Sequence, residues 1–161
     1  MFNFLKKIMP TSDTTPNPLL SITDLIDYAS VRPEHVVPAV KSLAAQVEAA
    51  LEKADAPSTP ASWENTVEPL EKAVLAFGRA WGAVGHLQSV VDTPALRDAF
   101  NEALLTLCKE KEVYFVNVAE CMKDENGMLP DEASPADGMH FGPDYYTKWF
   151  EYLKTHTVEQ A

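Results

Sequence analysis

The chain has little cysteine and no long hydrophobic run. Its 161 residues contain two cysteines, Cys108 and Cys121, whose spacing matches neither a CxxC redox pair nor a zinc knuckle. No apolar stretch approaches the roughly 20 residues of a membrane span, and residues 1–10 lack the apolar core and cleavage site of a secretory signal. We therefore expect two ordinary thiols in a cytoplasmic protein that does not enter the membrane.

Positive charge is also scarce. Lysine and arginine number 13 against 24 aspartates and glutamates, which gives a net charge of −11. Both parts of the chain are acidic: residues 1–105 carry 8 basic and 13 acidic side chains, and residues 106–161 carry 5 basic and 11 acidic side chains. Nucleic-acid binding needs a basic patch that neutralises phosphates, so we expect no nucleic-acid partner. Hydrophobic residues make up 46% of the chain, enough for the core of one ordinary domain or of two small modules.

Apolar periodicity predicts helices in the first two thirds of the chain. Residues 1–16 are typical of a flexible leader. A first helix is expected to begin at Pro38, since proline suits the first helical position and the residue before it avoids helical angles. It should end near Ala54 and present one apolar face, formed by Val40, Leu43, Val47 and Leu51.

A second, longer helix is predicted from about Ser62 to Val91. Its apolar residues form one stripe that should face partner helices: Trp63, Val67, Leu70, Val74, Phe77, Trp81 and Val84. Thr93 and Pro94 supply a cap and a first residue for a third helix, with four residues facing inward: Leu96, Phe100, Leu104 and Leu107. Three helices joined by short connections predict an antiparallel bundle.

The pattern changes after the third helix. The run VYFVNV at 113–118 is β-branched and aromatic, as in a buried strand. A turn-rich acidic loop follows, and an aromatic amphipathic helix begins at Pro143. The expected fold is mainly α, an antiparallel helical bundle with a short C-terminal strand–loop–helix appendage. The strand has no partner in this sequence, so it must pair with another chain, pack without a ladder, or stay poorly ordered.

Asp137 and His140 are the candidate catalytic residues. A carboxylate three residues from an imidazole can hold the ring in one tautomer and stabilise its cation, as in the relay of a serine hydrolase. The relay also needs a nucleophile and an oxyanion hole. The chain has no Gly-Asp-Ser and no GxND, and none of its serines lies in a strand-to-turn context. The pair is therefore either a relic or an incomplete dyad.

Residues 17–104 resemble the N-terminal helical domain of the oligopeptidase A and thimet oligopeptidase family of zinc peptidases, and we expect the domain itself to span residues 17–105. The motifs that carry this are NPLL at 17–20, VRPEHVVPAV at 31–40, SWENTVEPLEKA at 62–73 and VGHLQSVVDTPALRDAF at 84–100. The resemblance implies a domain that helps wall a deep channel for short peptides. In that family the HExxH zinc helix lies much further along the chain. No histidine here begins HExxH, so we expect no metal and no other cofactor.

Residues 106–156 resemble the C-terminal end of an SGNH (GDSL-type) esterase, within an expected C-terminal segment of residues 106–161. The resemblance rests on EVYFVNVAECMKDENGMLPDEASPADGMHFGPDYYTKWFEYL, which contains a DxxH motif followed by Gly-Pro and an aromatic helix. It implies that Asp137 orients His140 and that His140 is the general base. The two resemblances meet near EALLTLCKEKE. Gene fusion, an engineered chimera and a sequence-assembly join all remain open as origins of this chimeric arrangement.

Three functional hypotheses follow, and the missing catalytic parts favour a protein that is not an enzyme. The first is a non-catalytic helical module that binds short peptides or another protein chain. The alternative is an SGNH-type serine esterase that uses Asp137 and His140, with the nucleophile and oxyanion hole supplied from elsewhere. A third, weaker hypothesis makes the aromatic C-terminal helix a self-association element in a homodimer.

Overall fold

The protein is described by a computed structural model that covers residues 16–21 and 25–157. The expected leader, residues 1–16, lies outside this part of the chain except for Pro16. Four α-helices are present in the described residues: α1 (Pro33–Asp55), α2 (Glu68–Val90), α3 (Pro94–Glu110) and α4 (Pro143–Thr155). The expectation of a mainly helical fold is confirmed. The chain divides into two compact units, residues 1–104 and residues 105–161.

Helix α1 begins five residues earlier than predicted, at Pro33 rather than Pro38. Arg32 has the extended conformation (φ −126°, ψ 158°) that a residue before proline prefers. Its backbone N–H donates to Nδ1 of His35 at 3.1 Å, which satisfies one donor at the helix start. Pro38 is tolerated inside the helix because the residues around it, Val36, Ala39 and Val40, are buried in the core. Packing here outweighs the local preference.

The core of the N-terminal unit lies where α1, α2 and the short 3₁₀ turn Pro18–Leu20 pack together. Many of the buried side chains are alanines, which let helices approach closely; the buried set is Leu19, Val36, Ala39, Val40, Leu43, Ala80, Ala83, Val84, Leu96, Ala99 and Ala103. Helix α3 joins through its buried face and through Phe100, whose ring stacks on that of Trp81 at 4.5 Å between centroids. These contacts support the predicted helical bundle.

The long second helix is present in nearly the predicted range. The hydroxyl of Ser62 accepts from the backbone N–H of Asn65, a π-helical turn spans Trp63–Val67, and α2 continues to Val90. The expectation that its whole apolar stripe faces other helices was wrong. Val84 is fully buried, but Trp63 and Val74 are 58% and 49% exposed, whereas the smaller Ala80 and Ala83 are buried.

The predicted strand at 113–118 is also wrong, and the described residues contain no strand. Residues 113–117 are irregular, and Val118–Cys121 is a 3₁₀ turn. The backbone N–H of Val113 donates to the carbonyl of Cys108 at 2.8 Å, which closes the end of α3. Val113 and Tyr114 are more than half exposed. The side chains favour a strand, but a strand without a neighbour leaves its backbone groups unpaired.

The C-terminal unit has a small core of its own. Met122, Ala133 and Tyr145 are buried, and Val118, Cys121 and Phe141 pack against them. Helix α4 begins at Pro143, as predicted, after Gly142 in an extended conformation. Among the described residues, no helix is long and apolar enough to cross a bilayer.

Candidate functional site

Asp137 and His140 lie in the loop that precedes α4. Gly138 has φ +71°, a left-handed conformation that glycine adopts without strain. Its N–H donates to the carbonyl of Ser134 at 3.0 Å, and the N–H of Gly142 donates to the carbonyl of Ala133 at 2.8 Å. These two bonds fold the loop back on the 3₁₀ turn Asp131–Ala133, and so fix where the pair sits.

The structure brings the two predicted site residues together. Oδ2 of Asp137 lies 2.6 Å from Nδ1 of His140, and Oδ1 accepts from the backbone N–H groups of Met139 (2.9 Å) and His140 (2.8 Å). The backbone N–H of His140, its ring and the N–H of Met139 lower the pKa of Asp137. An ionised carboxylate on Nδ1 holds the proton there and leaves Nε2 as the basic nitrogen.

The pair is open to water, and the single serine of the C-terminal unit does not lie in the strand-to-turn context of a serine-hydrolase nucleophile. The His140 side chain is 73% exposed and that of Asp137 is 47% exposed. Ser134 is the one serine in residues 105–161. It is 9% exposed and ends a 3₁₀ turn, not a strand. By itself the pair can take up a proton at Nε2, but it cannot start acyl transfer, which needs an exposed hydroxyl within reach.

A second candidate site, a groove beside α2, was missed by the sequence analysis. Its volume is about 580 Å³, and it is lined by Leu25, Ile26, Tyr28, Gly78, Arg79, Gly82 and Ala83. We name it the α2 groove. Its signal in the sequence is glycine inside a predicted helix, because Gly78, Gly82 and Gly85 are three of the six glycines in the chain.

Glycine leaves the floor of the α2 groove open. A Cβ placed on Gly78 or Gly82 would meet no other atom within 4 Å, so neighbouring side chains do not require glycine there. Glycine inside a helix is less stable than alanine by about 1 kcal/mol. Gly78 and Gly82, on one face of α2, therefore lower the stability of the helix and leave the floor of the groove free of side chains.

Arg79 supplies the one charged side chain of the α2 groove. It is half-buried, and it also lines a neighbouring hollow of about 370 Å³ with Lys72, Leu75 and Ala76. Within residues 16–21 and 25–157, no carboxylate pairs with its guanidinium. The matched case is Arg97, whose Nη1 lies 2.7 Å from Oδ1 of Asp92. A guanidinium of this kind can form two parallel hydrogen bonds to one carboxylate.

The other histidines have local contacts. His35 accepts at the start of α1, the ring of His86 lies edge-on to Tyr28 at 5.6 Å, and His156 stacks on Tyr152 at 3.7 Å. No group of three or more metal-ligating side chains is arranged around a common point in the described part of the chain.

Comparison with known proteins finds a similarity for the helical region. Residues 40–119 match the family model described as Neurolysin/Thimet oligopeptidase, N-terminal domain. This region is similar to the oligopeptidase N-terminal domain. The match runs past residue 105, where we expected the first domain to end, and includes the segment 113–118 that was predicted to be a strand.

Curated relatives agree with the family model. Oligopeptidase A of Salmonella typhimurium is 42% identical over 88 residues, 55% of this chain and 13% of that protein. Probable cytosolic oligopeptidase A of Arabidopsis thaliana is 42% identical over 95 residues, 58% of this chain and 13% of that protein. Organellar oligopeptidase A of the same plant is 36% identical over 98 residues, which are 61% of this chain and 12% of that protein. The chain thus spans about an eighth of the length of these relatives. No solved structure matches it.

Proposed function

We propose that residues 17–105 form a non-catalytic helical module that binds short peptides in the α2 groove, as a counterpart of the channel wall of an intracellular oligopeptidase. The similarity to oligopeptidase N-terminal domains supports the kind of module. The observation that carries the proposal is the α2 groove itself, which combines an open glycine floor with an arginine that pairs with no carboxylate among the described residues.

The chemistry of the α2 groove suits a peptide with apolar side chains and a carboxylate. Its volume of about 580 Å³ lies within the range of 300–1,000 Å³ that is usual for small-ligand sites. Leu25, Ile26 and Tyr28 offer apolar contact surface. Arg79 can form two parallel hydrogen bonds to one carboxylate, at the end of a peptide or on an acidic side chain.

Fluorescence anisotropy with the labelled peptide Ala-Leu-Leu-Ala-Glu tests the proposal. We expect saturable binding that weakens about tenfold in Arg79→Ala, since a lost charge-assisted bond costs about 1.5–3 kcal/mol. Arg97→Ala is the matched control, because the guanidinium of Arg97 is already paired. Gly82→Leu should block the groove, whereas Ser89→Leu, on the same helix outside it, should not. Equal binding by all four variants would refute the proposal.

A specific observation favours a second candidate function. The contact of 2.6 Å between Asp137 Oδ2 and His140 Nδ1 leaves Nε2 exposed as a base. We propose as the alternative that His140 acts as general base in an esterase whose nucleophile and oxyanion hole come from another polypeptide. A serine-directed fluorophosphonate probe tests this on material purified with its natural partners. Labelling that is lost in His140→Ala would support the esterase, and labelling that persists in that variant would refute it.

The cytoplasmic location belongs to the proposal as well. One relative is named as cytosolic and another as chloroplastic/mitochondrial. Cell fractionation with an antibody against the chain would decide between these compartments.

A further inference from the structure

The C-terminal unit contains an apolar pocket that neither proposed function uses. It is open to solvent and has a volume of about 440 Å³. Its walls are mainly hydrocarbon, from the 3₁₀ turn, the loop after it and α4: Val118, Met122, Leu129, Phe141 and Trp149. We name it the Trp149 pocket. Since Met122 and Phe141 also belong to the core of this unit, the pocket is an opening into that core.

The Trp149 pocket has no free polar anchor for a small ligand. Lys123 is the one charged residue in its lining, and Nζ of Lys123 lies 2.6 Å from Oε1 of Glu120. That glutamate also accepts from the side-chain amide of Asn117 at 2.9 Å. The lysine charge is therefore already compensated. Apolar contact must supply most of the affinity of any occupant.

The apolar surface continues beyond the pocket along α4. Tyr146 and Trp149 lie 6.5 Å apart between ring centroids. Tyr146 is 49% exposed, and Phe150, the residue after Trp149, is 59% exposed. Together they offer an aromatic platform next to an opening. This arrangement suits a chain segment that places one large side chain in the pocket and lays others on the platform.

The charge around the pocket selects the occupant. The loop that lines it includes Asp124 and Glu125 next to Lys123. The side chain of Lys123 lowers the pKa of Glu120, and the backbone N–H of Met128 lowers that of Asp124, so both carboxylates stay ionised at neutral pH. Residues 106–161 carry 5 basic and 11 acidic side chains. The rim is therefore negative, and a cationic partner is attracted to it.

This charge disfavours the other occupants. A second copy of the chain brings another net charge of −11, and nucleic acids and anionic lipid surfaces are negative as well. We propose that the Trp149 pocket and the adjacent aromatic face of α4 bind short cationic peptide segments that carry large apolar side chains. The basic side chains of the segment lie against Asp124 and Glu125, and an aromatic or leucine side chain enters the pocket.

Anisotropy titration of the full chain with two labelled peptides tests the charge requirement. Lys-Leu-Phe-Lys-Ile-Leu-Lys should bind at least about tenfold more tightly than Glu-Leu-Phe-Glu-Ile-Leu-Glu, a difference of about 1.4 kcal/mol. Binding of the cationic peptide should weaken as salt is raised. Equal affinities for the two peptides would overturn the proposal.

Two pairs of variants test the location. Ala119 is exposed and lines the pocket, so Ala119→Trp should fill it and abolish binding, whereas Ala136→Trp, at an exposed alanine outside the lining, should not. Glu125→Lys should weaken binding several-fold. Glu52→Lys, on α1, changes the net charge equally and should have little effect. Similar losses in both members of a pair would mean unspecific attraction and would overturn the assignment.

Sedimentation velocity tests whether a second copy of the chain occupies the Trp149 pocket. A chain that is monomeric, with and without the cationic peptide, agrees with the proposal. A dimer that dissociates in Ala119→Trp would show that the pocket holds a second copy, which would overturn it.

Discussion

The two units of the chain achieve order in different ways. In the N-terminal unit, long helices pack through alanines and β-branched residues, and eleven hydrophobic side chains are buried among the residues that the structure describes there. In the C-terminal unit three are buried, and the chain is held by 3₁₀ turns, an Asx-type turn at Asp137 and local backbone bonds. A small core leaves little margin, because folded stability is about 0.05–0.15 kcal/mol per residue. The comparison predicts that the N-terminal unit resists single substitutions better.

The largest effect is expected in the core of the N-terminal unit. Leu43 on α1 is 2% exposed, and Leu43→Ala should lower the free energy of unfolding by about 3–4 kcal/mol through lost burial and a cavity. Urea denaturation followed by circular dichroism at 222 nm measures it. Leu51, on the same helix and 55% exposed, is the matched control and should lose less than about 1 kcal/mol. Similar losses at both positions would contradict the assigned core.

In the C-terminal unit, a substitution that costs slightly less free energy of unfolding should unfold more of the structure. Tyr145 is 5% exposed in a core of three buried residues, and Tyr145→Ala should cost about 3 kcal/mol. We expect amide protection to disappear from α4 while α1 and α2 stay protected, as hydrogen exchange with mass spectrometry can resolve. Loss of protection in both units together would show that they fold as one, and would remove the basis of the comparison.

Substitution of Trp81 tests how much the apolar stripe of α2 contributes to the free energy of unfolding. Its ring is half-buried and stacks on Phe100, so Trp81→Ala should cost about 2 kcal/mol, below the 3–5 kcal/mol of a fully buried aromatic. A double-mutant cycle with Phe100→Ala should give a coupling energy of about 1 kcal/mol. Trp63→Ala, at the exposed end of the stripe, should stay within about 0.5 kcal/mol. An equal loss at both tryptophans would restore the expectation of a fully buried stripe.

The stripe also shows which parts of the fold the sequence could predict. Period and capping residues indicated the helices correctly, because both are local properties. They could not tell which side of α2 is buried, since Ala80 and Ala83, outside the predicted stripe, are buried and alanine gives a weak signal. The start of α1 was missed for a related reason. Two prolines, Pro33 and Pro38, can each open a helix, and only the burial of Val36 decides between them.

The two candidate sites also differ in how far the sequence alone could predict them. Asp137 and His140 are three residues apart, so local backbone geometry alone brings them together, and the sequence could predict that contact. The α2 groove joins residues about 50 positions apart, Leu25 and Gly78 among them. No short motif encodes such a pairing. The predicted strand failed because strand pairing also depends on a distant partner.

The glycines of α2 should give a small effect of opposite sign. Gly78 is exposed within the helix, and a Cβ there meets nothing within 4 Å, so Gly78→Ala should raise the free energy of unfolding by about 0.5–1 kcal/mol. Gly127, with φ +77°, is the contrasting position in the C-terminal unit, and Gly127→Ala should be destabilising. A loss of stability in Gly78→Ala would mean that the floor of the α2 groove is packed more tightly than the structure shows.

The smallest effect is expected at Asp137, where the two candidate functions diverge. In a working relay, Asp137→Asn holds the wrong histidine tautomer and lowers the rate by a factor on the order of 10⁴. In the isolated chain His140 is exposed and no described serine hydrogen-bonds to its ring, so hydrolysis of p-nitrophenyl acetate should proceed only at the slow rate of an imidazole in water. Asp137→Asn should then change that rate by less than about threefold, well under the equivalent of one pKa unit. His140→Ala measures the contribution of the imidazole itself. The backbone N–H of His140, its ring and the N–H of Met139 lower the pKa of Asp137, so its carboxylate stays ionised at neutral pH, where the rates are compared. A drop of a hundredfold or more in Asp137→Asn, with α4 still protected from exchange, would show that the carboxylate orients a catalytic base, and the esterase would become the better account of the C-terminal unit.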